Sequence, residues 1–167
     1  MSTPTTTAKT PESRLPDLTQ FFPELGALSA GVIKATRNGS VPPATLSLVV
    51  LRAAQVVGST YHAVRVTDSI RKAGEAEERI TAVATWRDAP YFTDAERVAL
   101  ELVEAVLTPN PSGERVPDEL FARARGHYDD KALWTLTMAI GHFCLFMPVA
   151  LIGKPIPGRP IGKNYSK

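Results

Sequence analysis

The 167-residue sequence predicts an all-α domain of about seven helices. Three observations carry that expectation. Apolar residues recur at helical spacing from Leu15 onward, and capping and stop residues fall between the apolar runs. No segment shows the apolar–polar alternation of a half-buried strand.

The first apolar face comprises Leu18, Phe21, Phe22, Leu25, Leu28, Val32 and Ile33, and it runs out near Asn38-Gly39. Pro42-Pro43 open a second helix over residues 44–57, apolar nearly all round and therefore expected to be buried. Gly58 breaks it. Ser59 is a natural N-cap for a third helix, in which Ala63, Val66, Thr67 and Ile70 share a face and Gly74 supplies the stop. A shorter fourth helix spans residues 75 to about 86, with Ile80, Val83 and Ala84 inward.

Thr93-Asp94-Ala95-Glu96 is a capping box. The helix behind it is amphipathic, with Ala95, Val98, Ala99, Leu102 and Val106 on one side and Arg97, Glu101 and Glu104 on the other. Pro117 suits the first turn of a sixth helix that Gly126 ends. Asp129 then caps a long last helix, which Pro148 must kink or terminate. One domain over residues 15–158 results, between a Thr/Ser/Pro-rich tail (1–14) and an extended tail (159–167).

Composition narrows the function classes. Nineteen Lys+Arg against seventeen Asp+Glu leave no basic stripe to track a phosphate backbone, so no nucleic-acid partner is expected. The N-terminal residues lack a signal-peptide core, and the apolar stretch over 143–152 is interrupted by Pro148 and too short to span a bilayer. A cytoplasmic protein without a membrane partner is the expectation. The single cysteine, Cys144, allows no internal disulfide and no CxxC redox pair.

Two stretches carry a family resemblance. Leu51-Arg-Ala-Ala-Gln-Val-Val-Gly58 followed by Ser-Thr-Tyr-His62, and Ala84-Thr-Trp-Arg-Asp-Ala-Pro-Tyr-Phe-Thr-Asp-Ala-Glu-Arg97, resemble the "LRxAQxxGCxYC" and "WRxAPxFTxxER" runs of alkylhydroperoxidase-D-like proteins and carboxymuconolactone decarboxylases. The resemblance covers roughly residues 46–158. It implies a helical subunit that assembles into a homo-oligomer (dimer, trimer or hexamer), with a small-molecule pocket near the hairpin.

The peroxidatic chemistry of that family does not carry over. The glutamate position holds Ser47, the two cysteines are Ser59 and His62, and the following histidine is Val66. A serine hydroxyl cannot cycle through sulfenic acid and disulfide. Thiol peroxidase activity is therefore excluded. In the last helix the family's polar run, resembling I-N-x-W-N-R, is replaced by Phe143, Cys144, Phe146, Met147 and Pro148; if that helix lines the pocket, as the resemblance implies, the pocket is more apolar.

His62 is the leading catalytic candidate. In the first turn of its helix the dipole disfavours the imidazolium, and a sheltered neutral imidazole is a usable general base beside a carbonyl. The alternative is a half-buried histidine satisfied by backbone. Tyr61 can donate a proton or pack, and Ser59 can touch substrate or serve as an N-cap only. His142, on an apolar face with Thr135, Met138 and Ala139, pairs with His62 across the pocket or is a core histidine. Phe143, Phe146 and Met147 are candidates for the cavity wall, and Trp86 either walls the cavity or, its default, packs in the core. Arg52 secures a hairpin or subunit contact, and Cys144 is an inert buried thiol.

Two histidines without spaced partner ligands make no metal site, and no cofactor is implied. The resulting expectation is a redox-free lyase, isomerase or cyclase acting on an apolar carbonyl compound. The alternative, from a different class, is a catalytically inactive ligand-binding or assembly protein on the same scaffold.

Overall fold

The computed structural model describes residues 12–161; the two tails expected at 1–14 and 159–167 lie largely outside them. Seven α-helices follow in order: α1 Leu25–Thr36, α2 Pro43–Val56, α3 Thr60–Lys72, α4 Glu77–Ala82, α5 Asp94–Leu107, α6 Asp118–Arg125 and α7 Asp130–Gly153. Short 3-10 turns at Leu18–Gln20 and Val83–Thr85 complete the set, and no strand occurs among the described residues.

The helix starts follow the capping chemistry. Ser59 accepts from the backbone N–H of His62, and Asp129 accepts from that of Ala132. The capping box is complete: Thr93 accepts from the Glu96 N–H while Glu96 accepts from the Thr93 N–H. Gly58 and Gly74, at φ 69° and 86°, take the left-handed turns after α2 and α3 that a side chain would resist.

Three expectations need correction. The first helix does not begin at Leu15. Pro16 and Pro23 disfavour helical dihedrals in the residues before them, so Leu18–Gln20 makes only a 3-10 turn, α1 starts at Leu25, and Phe21 and Phe22 are exposed rather than inward. The fourth helix ends at Ala82 and tightens into the Val83–Thr85 turn. Of the two outcomes open at Pro148, termination does not occur: α7 continues to Gly153 before Lys154 turns left-handed at φ 44°. At 24 residues α7 is also long and apolar enough to cross a membrane by length and composition, contrary to the shorter stretch expected. Packing against α1, α2 and α6 buries 33% of its most apolar window.

α2 is the central element. Leu46, Val49 and Ala53 enter a core shared with α5, α6 and α7, while Leu48 and Leu51 enter a second core with Ile70, Ile80, Val83, Trp86 and Leu100. The sequence stretches that carry the resemblance clamp this arrangement. Glu104 on α5 accepts from Arg52 Nε (2.5 Å) and Trp86 Nε1 (2.8 Å) and pairs with Arg87 (2.6 Å). Arg97 donates to the carbonyls of Trp86, Arg87, Ala89 and Phe92. Arg52 therefore ties α2 to α5 and to the Val83–Thr85 turn, and not to α3 across the α2–α3 hairpin.

Candidate active site

α1, α2, α3 and α7 enclose a cavity of about 470 Å³. That lies in the range typical of small-molecule sites. α2 and α3 form an antiparallel hairpin across the three residues Val57-Gly58-Ser59, and α1 runs antiparallel to α7, tied by Asn38 to Thr135 and by Ser29 to His142. This frame sets each polar side chain on the cavity wall.

His62 sits in the first turn of α3, where Ser59 holds it twice. Ser59 Oγ lies 2.9 Å from Nδ1 of the ring and 3.5 Å from the backbone nitrogen of the same residue. Phe143 packs edge-on against the imidazole at 4.9 Å between centroids, and Tyr61 does so at 5.3 Å. Burial, then the positive charge of Arg65, then His142, lower the His62 pKa to about 4. The ring is neutral at pH 7.

His142, one face of α7 away from Phe143, bonds through Nε2 to Ser29 Oγ at 2.9 Å and meets Phe146 edge-on at 5.3 Å. Burial lowers its pKa as well. Both imidazoles line the one cavity, together with Tyr61, Phe143 and Phe146. Arg65, one turn beyond Tyr61, donates to the Tyr61 hydroxyl at 2.8 Å.

Other candidates are placed elsewhere. Trp86 is 5% exposed and lies in the core beside α5 with its indole N–H on Glu104, away from the cavity, because the Glu104 carboxylate and not the cavity offers its N–H a partner. Met147 packs against the main core and does not line the cavity, although Phe143, one turn earlier on the same face of α7, does both. Ser59 is fully buried behind His62 and touches the ring, not the cavity. Cys144 is half-buried off the wall, and burial pushes its thiol pKa up, the opposite of what a reactive thiolate needs. Among the described residues no cluster of His, Cys, Asp and Glu could hold a metal ion.

Sequence reasoning missed Ser29, Arg37 and Arg65, all of which line the cavity. Arg65 was findable: it follows Tyr61 by four residues and His62 by three, hence on their face of α3. Ser47, at the position of the family's glutamate, lines the cavity as well.

The fold agrees with the comparisons. Residues 20–105 match the carboxymuconolactone decarboxylase family. The chain belongs to that family. It is 35% identical over 121 residues to the uncharacterized protein YdfG of Bacillus subtilis, covering 72% of this chain and 81% of that one. It is 33% identical over 105 residues to the uncharacterized Escherichia coli protein YnjA, covering 63% and 56%.

Solved structures share the fold of this family member. A protein of unknown function from Agrobacterium tumefaciens, associated by name with the antioxidant defence protein AhpD, superposes with a TM-score of 0.78 at 22% identity, over 89% of this chain and all of that one. The debrominase Bmp8 superposes with a TM-score of 0.73 at 15% identity, over 83% and 74% of the two chains. A variant of Bmp8 is known in complex with 2,3,4-tribromopyrrole. The architecture is therefore one that includes enzymes of small molecules.

Proposed function

We propose that this family member is a redox-free enzyme that moves a proton beside the carbonyl of a largely apolar small molecule, with His62 as the acid–base group. One observation carries the reading: an uncharged imidazole, fixed through Nδ1 by Ser59, stands on the wall of a cavity that holds a second uncharged imidazole. With Nδ1 engaged, Nε2 is the nitrogen left for substrate. When Nδ1–H donates to Ser59, Nε2 is a base; when Ser59 donates to Nδ1, Nε2–H is an acid. One hydroxyl supports both states.

In this scheme Nε2 takes the proton from the carbon next to the carbonyl, and the C–H electron pair moves onto the carbonyl oxygen as an enolate. The Tyr61 hydroxyl, already accepting from Arg65, or the neutral His142 donates a hydrogen bond to that oxygen. Return of the proton at another carbon gives an isomerase. Loss of a leaving group gives a lyase, and attack on an internal electrophile gives a cyclase. Phe143 and Phe146 hold the apolar part of the substrate in the reactive geometry.

The test is exchange of carbon-bound hydrogen. A panel of apolar ketones and lactones is incubated with the protein in D₂O and followed by proton NMR. Enzyme-dependent deuteration beside the carbonyl is expected for a subset, and His62→Ala should abolish it. Undiminished exchange in that variant would defeat the acid–base role.

The low pKa of His62 favours a second reading, because an imidazole that holds a proton so weakly also suits a site that only binds. An inactive ligand-binding protein predicts tight binding by the same panel with no exchange at all. Under either reading the chain assembles with copies of itself, a proposal supported by the exposed apolar stripe Trp134, Met138, Leu145 and Ile152 on α7.

A further inference from the structure

The cavity is long, and its two ends differ in chemistry. It follows α1 from Leu25 to Arg37, a helix of 12 residues and thus about 18 Å. The antiparallel pairing of α1 with α7 orders the opposite wall. Ala139 lies toward the Arg37 end, His142 and Phe143 lie in the middle, and Phe146 lies toward Leu25 and Leu18. In the α2–α3 hairpin the later turns of α3 return beside the first turn of α2, which follows Arg37 closely in the chain. Arg65 is therefore displaced from His62 toward the Arg37 end.

That end is cationic. Arg37 and Arg65 are both exposed, and neither enters an ion pair among the described residues. Arg65 spends one N–H on the neutral Tyr61 hydroxyl, and no aspartate or glutamate lines the cavity. The other end is apolar and open. Leu18 and Ile161 line both this cavity and a second one of about 390 Å³, whose remaining side chains, Phe21, Phe22, Val149 and Ile152 among them, are apolar apart from Ser13.

We propose that the site takes an elongated amphipathic acid, with its carboxylate at Arg37 and Arg65 and its apolar chain running past Leu18 and Ile161 into the second cavity. The position of the reacting carbonyl, beside His62 in the middle, rests on the function proposed above; the head and tail positions do not. Guanidinium groups bind carboxylates through charge-assisted hydrogen bonds. At the far end each methylene that leaves water adds up to about fourfold in affinity.

Isothermal titration of the full chain with hexanoate, decanoate and decan-1-ol separates these contributions. Decanoate is expected to bind with one-per-chain stoichiometry, about tenfold or more tighter than decan-1-ol, and tighter than hexanoate. The double variant Arg37→Gln/Arg65→Gln should bring decanoate and decan-1-ol level. Both side chains are exposed and the only hydrogen bond given up among the described residues is that from Arg65 to the Tyr61 hydroxyl, so the double variant should stay folded at the titration temperature, which thermal melting checks. Leu18→Ser should remove much of the gain from hexanoate to decanoate while preserving the preference for acid over alcohol. Equal binding of acid and alcohol by the native chain, an acid preference that survives in the double variant, or no binding of decanoate up to about 1 mM would each overturn the proposal. The D₂O experiment is read separately: lost exchange with intact decanoate binding removes the acid–base reading alone, and the converse removes this one alone.

Discussion

Ser59 Oγ stands 2.9 Å from His62 Nδ1 while the same oxygen caps α3 by accepting from the His62 backbone. One atom thereby ties the orientation of the ring to the start of the helix. The two duties can be separated by substitution. Ser59→Ala should lower unfolding stability in urea by about 1 kcal/mol, the usual cost of losing an N-cap, whereas Ser59→Gly should cost only a few tenths. Both release the ring, so both should slow carbon-bound hydrogen exchange by about tenfold or more. If Ser59→Gly exchanges at the native rate, the serine serves only the helix.

The His62 pKa of about 4 makes stability pH-dependent in a defined direction. Burial dominates, with Arg65 and His142 adding to it. The unfolded chain takes up the proton near 6.5 and the folded chain only near 4, so over that interval the unfolded state binds more protons. Stability should therefore fall as pH drops from about 6.5 to about 4 and level off, for this group, below that. Burial of His142 acts in the same sense. Denaturant titrations at a series of pH values should show the slope, and above the carboxylate range His62→Asn should retain only the part due to His142. NMR of the ring should find His62 neutral at pH 6, and a protonated ring there would contradict the geometry that buries it.

Glu104 is the scaffold counterpart of these site residues. Burial alone would raise its carboxyl, yet the donors Arg87, Trp86 and Arg52 outweigh that and hold it below the ordinary carboxylate range. Removing the carboxylate leaves a half-buried guanidinium and a buried indole N–H without their acceptor. Glu104→Ala should destabilise the fold by about 3 kcal/mol or more, a loss read directly from urea denaturation. At low temperature, where the variant stays folded, decanoate affinity should be close to native. A large affinity loss in folded protein would mean that the α2–α5 clamp reaches the cavity.

Helix boundaries were legible where local chemistry decides them. Ser59, Thr93 with Glu96, and Asp129 cap helices because their oxygens meet free N–H groups within the same turn, a purely local matter. Phe21 and Phe22 misled, since their helical spacing to Leu25 is interrupted by Pro23. Trp86 misled for another reason: nothing in its neighbourhood in the chain announces Glu104, 18 residues later, as its partner. His62, Tyr61, His142, Phe143 and Phe146 converge because they occupy facing sides of α3 and α7; periodicity sets the face within each helix, and the family resemblance, not periodicity, implies that the two helices share a pocket. Ser29 and Arg37 join them only through the antiparallel packing of α1 on α7, a tertiary fact.

The exposed residues of α7 bear on assembly. Trp134, Met138, Leu145 and Ile152 are 68%, 47%, 48% and 64% exposed in the single chain. With Gly141 and Pro148 between them, their positions alternate by four and three along the helix, the spacing of a seam between two packed helices. A second copy of α7 would meet this face with the same spacing, and the small Gly141 would allow close approach of the two backbones. Sedimentation analysis should therefore find the native chain as an oligomer. Trp134→Glu/Leu145→Glu should convert it to a monomer with unchanged helical content, since both side chains reach solvent and contribute little to the fold of the single chain. A native chain that sediments as a monomer at micromolar concentration, or a double variant that stays assembled, would place the contact on another face.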